Sequence, residues 1–200
     1  MGEMKVSALA LAACWAAGAA APGVDPGKGM GTPNAPITVE VFSDFECPAC
    51  KAFHEQVLPR LMADYVISGK VFLANFEFPL AMHAHSREAA AYAVAASRVG
   101  AYWPVADALF RSQQAWSASG KVWEAAAGAL TAAQRARAQA LAKDPGVLAE
   151  VQNEIAAGQR AGVNETPTLV VIRGSRSIPV GGRLIKYELL KQLLDDLAKK

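Results

Sequence analysis

Apolar and polar positions recur with different periods along the chain, and each change of period marks an element. Residues 37–43 carry Ile37, Val39 and Val41, a β-branched run that predicts a buried strand. From about 48 to 65 the spacing becomes helical, with Phe53, Val57, Leu58 and Leu61 on one side. Pro59 lies inside that stretch and predicts a kink. Residues 70–78 read as a second strand, and alanine-rich helical stretches follow over 86–99, 101–115 and 121–130. Thr131 with Gln134 is a capping-box signature for a further helix. Asp144-Pro145 opens another, with Val147, Val151 and Ile155 on one face and Gly162 placed to end it. Strands return over 168–172 and 177–180 around a turn at Gly174-Ser175, and Gly181-Gly182 breaks the second. Leu190, Leu193, Leu194 and Leu197 make residues 187–197 an amphipathic helix.

The order is strand, helix, strand, then helices, then strand, strand, helix. A βαβ unit and a ββα unit can share one central sheet while the middle helices pack as a cap, so the fold class is α/β.

Two stretches lie outside this pattern. Residues 6–21 follow Lys5 without a charge and are dominated by Ala and Leu, which reads as a secretory signal peptide over residues 1–21. The run is short and Ala-rich for a transmembrane helix. Within it, Leu11-Ala12-Ala13-Cys14 resembles a bacterial lipobox, which would make Cys14 a lipid anchor. Cleavage near Ala21 is the other reading, and both stay open. Residues 22–36 alternate Pro22, Pro26, Pro33 and Pro36 with Gly23, Gly27, Gly29 and Gly31, and predict a linker, with order beginning near Ile37. A formal net charge of +2 with interspersed signs gives no electrostatic footprint for nucleic acid.

If export removes or modifies Cys14, the three cysteines reduce to Cys47 and Cys50. A bridge between residues so close removes little entropy from the unfolded chain, so the pair is there to react rather than to staple. It leaves a predicted strand and opens a predicted helix. A cysteine at a helix N-terminus faces unpaired N–H groups and the positive end of the dipole, which favour thiolate. Pro48 has no N–H to lose there. Cys47 is then the exposed nucleophile and Cys50, about one turn on, the buried resolving thiol; Pro48 and Ala49 complete the active-site loop. Asp44 and Glu46 add negative charge that opposes Cys47 ionisation. A zinc site would have to draw on His54, His83 and His85, since no second cysteine pair stands beside this one, and those three read as packing or loop residues. No metal and no cofactor is expected.

The segment Ser43-Asp44-Phe45-Glu46-Cys47-Pro48-Ala49-Cys50, followed by Phe53-His54 and Val57-Leu58-Pro59, resembles the DsbA-like branch of the thioredoxin superfamily. Far along the chain, Gly162-Val163-Asn164-Glu165-Thr166-Pro167-Thr168 is similar to the loop that carries a cis-proline facing the dithiol in that family. The resemblance implies a thioredoxin-like domain over 37–80 and 163–200, with a helical insertion over 81–162. It implies thiol:disulfide oxidoreductase activity, a cis Pro167, and a Thr166 backbone that pairs with an extended substrate segment. It also implies exported proteins bearing thiols or disulfides as substrates, a periplasmic or otherwise extracytoplasmic location, and a membrane redox partner of the quinone-reducing type. Glu40 matches the family's buried proton-relay carboxylate only if one residue is inserted before Cys47; the other reading is a solvent-facing glutamate. Many strong oxidants of the family have histidine where Ala49 stands, so the direction of exchange stays open. A reductase or isomerase is the alternative, and a thioredoxin-fold metal-binding module the more distant one.

Overall fold

The computed structural model describes residues 24–182 and 185–199. The leader reading and Cys14 lie outside the described residues. Five strands form one sheet: β1 (Gly29–Met30), β2 (Ile37–Ser43), β3 (Val71–Glu77), β4 (Thr168–Arg173) and β5 (Arg176–Gly181). Their spatial order is β1-β3-β2-β4-β5, with β2 and β3 parallel and the other neighbours antiparallel. The parallel pair is joined by a helical run, α1, built from four abutting pieces: Pro48–Ala52, Phe53–Val57, Leu58–Leu61 and Met62–Val66.

The kink expected at Pro59 is absorbed by that construction. Phe53–Val57 is wound as a π-helix, with Leu58 N–H donating to Phe53 O five residues back. Widening the turn ahead of the proline relieves the clash and the lost donor that would break an ordinary α-helix.

Between β3 and β4 lie α2 (Ser86–Ser97), α3 (Tyr102–Arg111), α4 (Gln113–Ser119), α5 (Val122–Ala127), α6 (Ala132–Leu141) and α7 (Pro145–Arg160). The capping box at Thr131 and Gln134 is formed, and Asp144 caps α7 through Gly146 N–H. The last helix, α8 (Tyr187–Ala198), buries Leu190, Leu194 and Leu197.

The sheet separates two apolar layers. Ile37, Val39 and Val41 pack with Phe53, Leu61 and Leu194 on the α1 and α8 side. Phe42 and Phe76 pack with Val147, Val151 and Ile155 of α7 on the other. This division follows from the two-residue period of a strand.

The linker expectation for 22–36 needs correction. Residues 29 and 30 already pair with β3, Gly29 opposite Ala74 and Met30 opposite Leu73. Gly29 lies so close to the Phe72 ring that a Cβ would come within 2.7 Å of it. Here glycine permits close approach, not flexibility. Just before it, Lys28 is fully buried: its ammonium reaches both Glu154 oxygens at 2.7 and 2.6 Å and Glu77 Oε1 at 3.3 Å. Tyr102 Oη donates to the same Glu77 oxygen at 2.6 Å. Burial pushes the Glu154 carboxyl up to about 7 against the pull of Lys28, and pushes Glu77 up as well.

Candidate active site

The chain leaves β2 at Ser43, turns through Asp44, Phe45 and Glu46, and enters α1 at Pro48 with Cys47 as the N-cap. Cys47 has extended backbone angles (φ −77°, ψ 121°), so its side chain sits over the first turn and Pro48 occupies the position where no N–H is needed. Both cysteines are free thiols. Cys47 is 7% exposed and Cys50 is fully buried.

Their environments pull them apart. The Cys50 thiol beside Cys47 favours its thiolate, burial opposes, and the Thr166 side chain with the N–H groups of Cys50 and Ala49 adds to the first effect. The result is a Cys47 pKa of about 5. Burial pushes Cys50 well above the usual thiol value, and the neighbouring Cys47 pushes it further, while Asp44 N–H and the Ser43 side chain pull the other way. Asp44 N–H reaches Cys50 Sγ at 3.4 Å. One thiol is therefore ionised at neutral pH and the other holds its proton, the division of labour that disulfide exchange requires.

The second predicted segment arrives from the far end of the chain. In its protonated form Cys47 Sγ donates to Thr166 O at 3.3 Å. The Thr166–Pro167 peptide bond is cis. Beside the two loops a shallow cavity of about 190 Å³ is lined by Ala49, Ala52, Phe53, Val57, Pro167 and Ile185.

Glu40 does not join this group. It shares its sheet face with Phe42, and lines a cavity of about 660 Å³ with Phe76, Glu150, Glu154 and Arg160. Val41 and Ser43 are the residues that face α1. The side chain of Glu40 is on the wrong side of the sheet for relaying the Cys50 proton; burial alone pushes its carboxyl up.

The expected opposition from Asp44 and Glu46 also needs correction. Asp44 is buried and its oxygens are taken up: Oδ1 accepts from Glu46 N at 2.8 Å and Ser86 Oγ at 2.7 Å. Oδ2 accepts from Leu80 N at 2.8 Å and pairs with His83 Nδ1 at 2.7 Å. Glu46 Oε2 accepts from His85 N at 2.8 Å. Neither carboxylate is among the principal influences on Cys47. His83, expected to be a bystander, is part of the structure that holds the loop. His54 stays in a packing role, its ring 4.7 Å from that of Phe110 with burial lowering its pKa. Sequence reasoning also missed Gln113, whose side chain reaches into the loop from the helical insertion; no sequence motif signals it.

Among the described residues, no helix is long and apolar enough to cross a membrane. No group of three or more His, Cys, Asp or Glu there could hold a metal ion.

Known proteins agree with this geometry. The chain is 34% identical over 88 residues to a probable disulfide bond formation protein D of Bacillus anthracis, covering 44% of this chain and 41% of that protein. It is 26% identical over 151 residues to disulfide bond formation protein D of Bacillus subtilis, covering 71% and 66%. The chain thus spans less than two thirds of these relatives' length. Among solved structures, oxidised BdbD from Bacillus subtilis superposes with a TM-score of 0.69 at 23% identity, over 89% of this chain and 94% of that one, and shows the shared fold. DsbA2 of Pseudomonas aeruginosa gives a TM-score of 0.66 at 26% identity, over 86% and 94%. The thioredoxin family model matches residues 25–196, and the chain belongs to that family, among its DsbA-like members with a helical insertion.

Proposed function

We propose that the protein is a thiol:disulfide oxidoreductase that donates disulfides to exported proteins outside the cytoplasm. The observation that carries this reading is the unequal pair: Cys47 poised as thiolate near pH 5 beside a buried, protonated Cys50. A stable thiolate stabilises the reduced enzyme, and a disulfide whose reduced form is stabilised is an oxidant. In the oxidised form a substrate thiolate attacks Cys47 Sγ. A Cys47–substrate bond forms, the Cys47–Cys50 bond breaks, and Cys50 takes a proton. A second substrate thiolate then attacks the substrate sulfur of the mixed disulfide, and Cys47 leaves as thiolate. The substrate has gained a disulfide and the enzyme two electrons.

Thr166 and Pro167 stand opposite Cys47 where an extended substrate segment can add to the Thr166 backbone, with the neighbouring 190 Å³ cavity receiving its side chains. Reoxidation falls to a membrane partner of the quinone-reducing type. The apolar run over residues 6–21 supports export, with Cys14 as a lipid anchor if the lipobox is processed. The reductase or isomerase alternative keeps the same chemistry and reverses its direction.

Two measurements test the proposal. The oxidised protein, mixed with a reduced and unfolded disulfide protein, should restore its disulfides, and Cys47→Ser should abolish the transfer. Equilibration with glutathione should give a potential well above the roughly −270 mV of thioredoxin. A potential at or below that value would reject the donor role in favour of the reductase.

A further inference from the structure

Between α3 and α4 the helical insertion turns at Ser112 (φ −98°, ψ 14°), and the residues flanking that turn lean on the dithiol loop. The Phe110 ring packs on Phe45 with centroids 4.9 Å apart. Lys51, on the first turn of α1, donates from Nζ to the carbonyls of Phe110 and Arg111 at 2.8 and 3.2 Å. Both carbonyls lie at the end of α3, where helical donors run out. Gln113, 6% exposed, reaches in the opposite direction. Its Nε2 donates to Phe45 O at 2.7 Å and to Cys47 O at 3.0 Å. Both hydrogens of the amide are thereby used, and both go to the segment that aims the nucleophile.

We propose that Gln113 is a positioning residue for Cys47, through which the helical insertion sets the reactivity of the nucleophile. Pro48 supplies no N–H, so the first amides able to face Cys47 Sγ are those of Ala49 and Cys50. Their direction follows from the Cys47–Pro48 peptide plane, whose oxygen is held jointly by Lys51 N–H at 3.2 Å and by Gln113. Phe45 O anchors the other end of the same turn. Without the carboxamide, Phe45 O loses its side-chain donor and Cys47 O keeps only the helical one. The turn then relaxes to find water, and the amides swing off the sulfur. The charged and titratable groups around Cys47 remain in place: Cys50 and Lys51 on α1, Asp44 and Glu46 in the loop, His83 and His85 from the segment after β3.

The proposal deepens the exchange reading and rests on it for its biological meaning, but its test does not need turnover. Gln113→Met keeps the unbranched side chain and its volume while removing both donors. In the reduced protein, thiolate absorbance near 240 nm is followed against pH, with the rate of iodoacetamide alkylation and the melting temperature alongside. The midpoint of the Cys47 transition should rise by about half a pH unit or more, and alkylation at pH 5 should slow in proportion. Gln113→Glu, which at neutral pH offers no donor and a negative charge, should raise it further. Gln114→Ala, one residue along, should leave it where it is. A purely structural role would lower the melting temperature of Gln113→Met without moving the midpoint, and that result overturns the proposal. If Gln113→Met does not fold, the midpoint of the neutral Gln113→Leu variant decides in its place. If the wild-type protein fails to exchange disulfides while the midpoint still follows Gln113, the functional reading falls and the positioning role stands.

Discussion

Replacing Cys47 with serine should make the reduced protein lose stability by an amount that depends on pH in a calculable way. The folded thiol ionises near pH 5, and an unfolded thiol near roughly 8.5. A group whose pKa is depressed by folding contributes stability that is complete above the unfolded value and lost as pH falls through the folded one. Between the two, each pH unit is worth about 1.4 kcal/mol. At pH 7 the folded thiolate has been formed over about two units in which the unfolded thiol stays protonated, so Cys47 contributes about 3 kcal/mol. By the two-electron relation, that is about 60 mV toward the reduced state.

Glu154 acts in the opposite sense. Its carboxyl is raised to about 7, so stability falls as pH rises from its unfolded value through that point. Comparing wild type with Cys47→Ser cancels this contribution, because Glu154 is present in both. Urea unfolding of the two reduced proteins from pH 4.5 to 8.5 should give a stability difference that starts from a constant offset and widens by about 1.4 kcal/mol per unit above pH 5. A difference that stays flat across the range would refute the depressed thiol, and with it the physical basis for disulfide donation.

Two other substitutions test the scaffold. Lys28→Met strands the buried Glu77 and Glu154 carboxyls without their cation, and should cost about 3–5 kcal/mol at pH 8. The loss should shrink at pH 5, because burial pushes both carboxyls toward their protonated form, and equal losses at the two pH values in urea unfolding would contradict the ion-pair account. Gly158→Ala, a change that ordinarily stabilises a helix interior by about 1 kcal/mol, places its Cβ 2.6 Å from the Phe78 ring and 3.0 Å from Phe42. It should instead lower stability by about 1–3 kcal/mol, and a raised melting temperature would show that the α7–sheet contact is looser than described.

What the sequence makes legible is whatever depends on local periodicity and spacing. The strand at 37–43, the helix opened by Cys47, the caps at Thr131 and Asp144 and the final hairpin all express their own residues. What stays hidden depends on partners distant in the chain. Lys28 sits among prolines and glycines and reads as linker, because the carboxylate that buries it lies 126 residues away. Asp44 reads as a charge opposing its neighbour, because its donors come from Leu80, His83 and Ser86. Gln113 has no motif, and its role exists only once the insertion is folded onto the loop.

Glu40 shows how narrow the margin is. In a strand a shift of one residue exchanges the two faces, so a carboxylate one place from Val41 points into the layer of Phe42 and α7 rather than toward Cys50. Instead of a carboxylate from β2, the resolving thiol has the Ser43 side chain and Asp44 N–H around its sulfur, in a site that strongly favours its protonated form. The loop's acidic residues are meanwhile tied by hydrogen bonds to the segment after β3. No carboxylate is therefore among the principal influences on Cys47, and with alanine at position 49 its thiolate is held by Cys50, Thr166 and the N–H groups of Cys50 and Ala49. The unequal ionisation of the two thiols then follows from where the negative charge is absorbed, as much as from the spacing of the two cysteines.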